Sequence, residues 1–211
     1  MTRDYFFEFA GMPKSGKTTI CDIVVHFLKR SGFRVTEYHG GGRYAPIDKS
    51  SLPALNLYLA VKAVEFLVTN VEREKVQHRI FMMDRGLFDR RVFTRTLLNL
   101  KKIDAAEATV VSGFLGLPRL IDQIDGVFLF LTRPELSLAR EYKNKLVEGP
   151  GRVMNECFLA ALRTATEVET AEWQKSAKHV RVIDTSAEDG NVLGCSRIVA
   201  DDISRIVGMS Q

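Results

Sequence analysis

At 211 residues, 45% of them hydrophobic and 27% charged, the chain is long enough for one well-packed core and short for two enzyme domains, so a single domain over 1–211 is expected. A set of 30 basic residues against 26 acidic ones leaves a net charge of +4 with no block of one sign, which suits an anionic small ligand and makes no case for a nucleic acid polymer. Cys21, Cys157 and Cys195 are too scattered for a disulfide framework or a zinc site. MTRDYFFEF lacks the layout of a signal peptide, and unbroken apolar stretches such as Val127 to Leu131 are far below the ~20 residues of a membrane span, so a cytosolic protein with reduced thiols and no membrane partner is expected.

Arg3 to Ala10 reads as a buried strand, and Lys17 to Arg30 as a helix with Ile20, Ile23, Val24, Phe27 and Leu28 on one face. Phe33 to Tyr38 is the second strand, and the turn-forming run HGGGRYAPIDKSS after it is a loop. A long helix follows from about Pro53 to Gln77, carrying Leu57, Val61, Val64, Leu67, Val68 and Val71. Arg79 to Met83 is the third strand, Leu87 to about Gly116 holds two helical patterns, and GVFLFLT, Gly126 to Thr132, is a near-continuously apolar fourth strand. Two helices split by Glu148-Gly-Pro-Gly-Arg152, a strand from His179 to Ile183 and a helix from about Asn191 to Val207 complete the chain. Phe114, Phe128, Phe130 and Trp173 read as core. Strands alternating with helices require right-handed crossovers, which makes the expected fold α/β: a five-stranded parallel sheet covered by helices on both faces, in three layers.

Between the first strand and the first helix stands GMPKSGKTT, Gly11 to Thr19, which satisfies GxxxxGK[ST] through Gly11, Gly16, Lys17 and Thr18. Such a loop turns backbone N–H groups inward around a β-phosphate, and the helix N-terminus adds its positive end. Lys17 supplies a point charge and the Thr18 hydroxyl a ligand for Mg²⁺, so the stretch, with Met12, Pro13, Lys14, Ser15 and Thr19, is the expected cradle for ATP in a P-loop NTPase domain. Lys17 is expected to be solvated until phosphate arrives. A second constellation is Met83-Asp84-Arg85-Gly86, at the end of the third strand. Strand C-termini face the ligand crevice in an open parallel sheet, so Asp84 is expected to hold Mg²⁺ or orient the nucleophile, and Arg85 to grip an acceptor or transferring phosphate. The plain alternative is a surface ion pair of little consequence.

At these residues the chain resembles the thymidylate kinase and deoxynucleoside kinase group of P-loop kinases, over nearly its whole length. FFEFAGMPKSGKTT looks like the first strand and phosphate loop, HGGGR like the loop after the second strand, RIFMMDRGLFDRRVF like the strand carrying the DR motif, VFLFLTRPELSLAREYKNK like the approach to a basic lid, and RVIDTSAED like the final strand beside the adenine. The resemblance implies transfer of the ATP γ-phosphoryl to a nucleoside or nucleotide, with Lys17 and Thr18 on phosphates and Mg²⁺, Asp84 on metal or nucleophile, Arg85 on the acceptor side and Lys14 near the transferred group. It also implies a homodimer packed through the long helices. The chain departs from thymidylate kinases at Pro13, where they usually carry an acidic residue, and at Gly86, where they usually carry Tyr. It departs from deoxynucleoside kinases in reading Tyr38-His39-Gly40-Gly41 where a catalytic Glu is usual, so the acceptor is left open.

Arg140, Lys143 and Lys145, followed by Glu148-Gly-Pro-Gly151 and Arg152, read as a lid over about 140–153 whose cations close on ATP, against the alternative of a solvated helix face. His39 reads as a solvated loop residue or an acceptor contact, and His26, His78 and His179 show no ligand spacing. A regulatory P-loop ATPase with no small-molecule acceptor is the second reading of the chain.

Overall fold

The computed structural model describes residues 3–42, 45–72, 79–143, 151–175, 179–186 and 191–209. Its strands are β1 (Asp4–Gly11), β2 (Arg34–His39), β3 (Arg79–Asp84), β4 (Gly126–Leu131) and β5 (His179–Asp184). They form one parallel sheet in the order β2-β3-β1-β4-β5, with helices on both faces. The register sets Phe9 opposite Asp84, Asp84 opposite His39, Gly11 opposite Phe130 and Leu131 opposite Asp184, so all five strands end along one edge. After β1 the chain builds β2 and β3 on one side, then β4 and β5 on the other. Crossovers that part in this way leave a crevice above the C-terminal end of the central strand.

β1 is buried at every position, as expected of a strand covered on both faces, and its side chains alternate between two cores. Tyr5, Phe7 and Phe9 meet Ile20, Val24 and Leu28 of α1 (Lys17–Arg30) and Val199 and Ile203 of α8 (Val192–Val207). Phe6 and Ala10 face α2 (Leu52–Val71), α3 (Leu87–Asn99) and α7 (Glu156–Lys175). Glu8 points to this second side and is fully buried. The other helices are α4 (Ala105–Leu115), the single turn α5 (Pro118–Ile121), which the sequence did not announce, and α6 (Pro134–Tyr142). Helix α3 is clamped to α7 by forks of charge: Arg91 and Arg95 both donate to Glu169, which is fully buried, and to Glu172.

Helix α2 corrects the sequence reading. Its buried positions are Asn56, Leu59, Ala60, Ala63, Leu67 and Asn70, whereas Leu57, Val61 and Val68 are exposed. LPALNLYLAVKAVEFLVTNV is apolar almost all round, so periodicity alone does not select a face. The face with two alanines and two asparagines turns inward because both amides find partners, Asn56 at Thr94 and Asn70 at the carbonyl of Phe66. Ser51 caps this helix at the N–H of Ala54, and Pro53 sits in its first turn. The helix ends at Val71, and the expected extension to Gln77 lies outside the described residues. Among the described residues α2 is also the one helix long and apolar enough to cross a membrane by length and composition. Phe114 and Phe27, both expected to pack inward, are exposed at 43% and 41%, while Phe128, Phe130 and Trp173 are buried as expected.

Candidate active site

Gly11 to Thr19 joins β1 to α1 at the crevice. Gly11 has φ 124°, and a Cβ there would lie 2.1 Å from the Phe130 carbonyl oxygen, so only glycine fits where the loop crosses β4. Lys14 (φ 57°) and Gly16 (φ 84°) are also left-handed, a winding that turns successive N–H groups inward. The first turn of α1 carries no acidic residue, and Gly16 offers no side chain to cap it, which suits an anion at its N-terminus. Lys17 is buried, not solvated as expected, with its Nζ 3.5 Å from the Met12 carbonyl. Burial, helped by the charge of Arg85 and opposed by Asp84 and Asp89, pushes its pKa down to about 8.

Across the crevice Thr18 Oγ1 donates to Asp84 Oδ2 at 3.0 Å, so the hydroxyl and the carboxylate expected to share Mg²⁺ are already adjacent. The other oxygen, Asp84 Oδ1, is buried with no hydrogen-bond partner, which fits a site for a cation or a proton. Among the described residues no three His, Cys, Asp or Glu side chains cluster as a protein-only metal cage, in keeping with an ion held by one carboxylate, one hydroxyl and substrate phosphates.

Arg85 is left-handed at φ 69°, and its Nη1 donates to both oxygens of Asp89, at 3.1 and 3.0 Å. Arg90 also pairs with Asp89, which in addition accepts from the N–H of Gly11 at 3.3 Å. Burial alone would raise the Asp89 pKa, but Arg85, Arg90 and Lys17 together outweigh it and hold it down at about 2. Asp89 is therefore an ionised hub that ties the DR turn to the phosphate loop. The sequence reading passed over it.

Beyond Arg85 lies a pocket of about 350 Å³, walled by Leu55, Leu59, Phe93 and Met154 and reaching Pro13 and Lys14 of the phosphate loop. Its polar lining comprises Lys14, Arg85 and Glu141 at the phosphate-loop end and, deeper, Asn56 and Arg90, the two that sequence reasoning missed. Thr94 Oγ1 gives its only proton to the Arg90 carbonyl at 2.9 Å, so toward Asn56 it can only accept, and it does so from Nδ2 at 2.9 Å. That fixes the amide. Asn56 Oδ1 is left as a buried acceptor and Arg90 Nε as a buried donor, both without partners. A polar residue within the apolar run of α2 was the available signal for Asn56, but a reading by apolar positions alone, which finds Val64, Leu67 and Val71 on the core side and Leu57, Val61 and Val68 off it, does not pick it out.

Helix α6 leans on the phosphate loop. Ser137 Oγ donates to the Pro13 carbonyl at 2.8 Å, Lys14 Nζ pairs with Glu141 at 2.8 Å, and Arg140 donates to the carbonyls of Lys14 at 3.2 Å and Thr185 at 2.9 Å. Arg140 thus bridges the phosphate loop and the end of β5. Arg152 lines a separate, open hollow with Ser50, Ser51 and Lys102, beside the start of α2. Lys145 and Glu148 to Pro150 of the expected lid, like His78, lie outside the described residues.

No protein-family model matches the chain, and no curated relative matches it. Solved structures do. A deoxyadenosine kinase from M. mycoides with bound dATP superposes with a TM-score of 0.65 at 16% identity, over 95% of this chain and 99% of that one. A thymidylate kinase from Candida albicans gives 0.64 at 15% identity, over 95% and 93%. The fold is that of the thymidylate and deoxynucleoside kinases. Within this kinase fold Gly11 to Thr19, Asp84 and Arg85 gather at the C-terminal edge of the sheet, Arg140 reaches the same loop from α6, and Arg152 stays apart in the hollow beside the start of α2.

Proposed function

We propose that the protein is an ATP-dependent phosphotransferase that moves the γ-phosphoryl group of ATP to a nucleoside or nucleotide, working as a single domain in the cytosol. The observation that carries this reading is the continuity between a phosphate cradle with a buried lysine and an apolar pocket that holds one unpaired acceptor and one unpaired donor. Apolar walls suit a flat ring, and an edge offering an N–H to Asn56 and a lone pair to Arg90 is what nucleobases present. The lid of about 140–153 and a homodimer through the exposed Leu57, Val61 and Val68 of α2 belong to the same proposal.

In this reading Gly11 to Thr19 wrap the ATP phosphates, and phosphate oxygens add to Asp84 and Asp89 as charge partners of Lys17. Thr18 directly, and Asp84 through water, would hold Mg²⁺, which when bound neutralises charge on the phosphates. The acceptor oxygen attacks the γ-phosphorus as the bond to the β–γ bridging oxygen breaks. A hydroxyl acceptor gives its proton to Asp84 Oδ1, and an acceptor that is already a phosphate has no proton to give. Arg85, freed in part from Asp89, orients the acceptor, while Arg140 and Arg152 act on the closed state.

The engagement of Arg85 by Asp89 and of Lys14 by Glu141 favours the second reading, a regulatory ATPase, because both cations are already neutralised. A screen of nucleosides and nucleoside monophosphates for acceptor-dependent ADP release decides. One acceptor that accelerates release supports the transferase, and indifference to all of them sinks it.

A further inference from the structure

We propose that Glu8 is a positioning residue for transfer: from the middle of β1 its carboxylate, interlocked with Gly86, fixes the turn that carries Asp84 and Arg85. The proposal rests on the acceptor role given to Arg85 above. Oε1 of Glu8 accepts from the backbone N–H groups of Gly86 and Asp89, each at 2.8 Å, and Oε2 accepts from Phe88 at 2.9 Å. These donors stand at the start of α3, where the residue before the helix, Gly86, has no side chain with which to cap it. The cap comes instead from a strand 78 residues earlier.

The consequence falls on Arg85. Its own N–H donates to the Phe9 carbonyl at 2.9 Å and the next N–H is held by Glu8, so β1 grips the backbone on both sides of the left-handed residue. Asp89, the third residue that Glu8 holds, is the carboxylate that aims the Arg85 guanidinium. A Cβ on Gly86 would lie 2.8 Å from Glu8 Oε2 and 3.0 Å from the Met83 methyl, and a carboxylate pinned by three bonds has no room to withdraw. The glycine that stands where thymidylate kinases usually carry tyrosine is thereby explained.

This arrangement is costly for the fold itself. Burial pushes the Glu8 pKa up to about 7, and the charge of Asp89 adds to this, although the three N–H bonds work against it. An apolar side chain would continue the core made by Phe6 and Ala10 without that cost. What the carboxylate provides instead is geometry at the turn.

The test compares Glu8→Gln, Gly86→Ala, Arg85→Ala and the double variant Glu8→Gln/Arg85→Ala with wild type. Glutamine keeps the length but must turn an N–H₂ toward a backbone donor, and alanine displaces the carboxylate from the other side. Amide exchange at residues 84–90 should quicken at least ~10-fold in both Glu8→Gln and Gly86→Ala, with β4 and β5 unaffected. With ATP·Mg²⁺ and deoxyadenosine or thymidine monophosphate as probes, the acceptor KM should rise ~10-fold while the ATP KM stays within about twofold. In the Arg85→Ala background Glu8→Gln should add less than about twofold, because its effect travels through Arg85. Unchanged exchange at 84–90, or a full additive loss in the double variant, overturns the proposal. If wild type phosphorylates neither probe, the acceptor found by the screen replaces them; if the screen finds none, the transferase reading is what fails, and exchange at 84–90 alone decides the role of Glu8.

Discussion

Lys17→Met should make the ligand-free protein more stable. The lysine is buried with its pKa at about 8 against 10.5 for the free side chain, and that gap corresponds to about 3 kcal/mol of strain in the charged form. Below pH 8 the lysine is charged in the folded and the unfolded chain alike, so the penalty is present in full. Between pH 8 and 10.5 the unfolded chain holds more proton than the folded one, and wild-type stability rises with pH. Above 10.5 both states are neutral and the penalty is gone. Methionine fills the same space without charge, so at pH 7 we expect a gain of about 1–3 kcal/mol, at roughly 2–4 °C in Tm per kcal/mol for a chain of this size. The gain should vanish near pH 10.5, and ATP·Mg²⁺ should no longer raise Tm in the variant. An exposed lysine would give a change below ~0.5 kcal/mol. The assay is urea unfolding at pH 7 and pH 10.5, with and without ATP·Mg²⁺. A loss of stability at pH 7 would show instead that the lysine is already satisfied by its neighbours in the loop.

Asp84→Asn keeps the bond from Thr18 within reach but removes the charge, so turnover should fall by at least ~10²-fold while a titration still shows ATP binding; wild-type turnover would remove Asp84 from the chemistry. Asn56→Leu should raise the acceptor KM by roughly 10–10²-fold and leave the ATP KM alone, because it deletes the buried acceptor that has no protein partner; steady-state kinetics that show both constants unchanged would empty the pocket of its assigned role. Arg140→Ala and Arg152→Ala separate two positions that the sequence groups as one lid. The first should lower kcat by roughly 10²-fold through the phosphate loop, the second should act mainly on the acceptor KM, and identical profiles would argue for one shared clamp.

Much of this molecule can be read in its letters. The runs at Asp4–Gly11 and Gly126–Leu131 are apolar without interruption because both faces of those strands are covered, and the phosphate loop is recognisable because its winding depends on glycine and its charge on one lysine. Failures came where one sequence pattern suits several packings. Helix α2 is apolar all round, so its inward face, and with it Asn56, is chosen by partners on α3 that lie far away in the chain. Glu8 hides inside an apolar strand, and its meaning comes from three backbone N–H groups that carry no signature in the sequence. Arg140 bonds to carbonyl oxygens, which every residue possesses, so its bridging position could not be told from that of a free lid cation.

Transfer to an acceptor in the pocket of Asn56 and Arg90 can be followed in a single-turnover quench with γ-labelled ATP·Mg²⁺. With the acceptor found by screening, label should enter that acceptor at least ~10²-fold faster than it appears as free phosphate, and Asp84→Asn should abolish the faster route. Label released only as free phosphate, at a rate indifferent to every acceptor and to Asp84→Asn, would mean that the protein hydrolyses ATP without passing the phosphoryl group on.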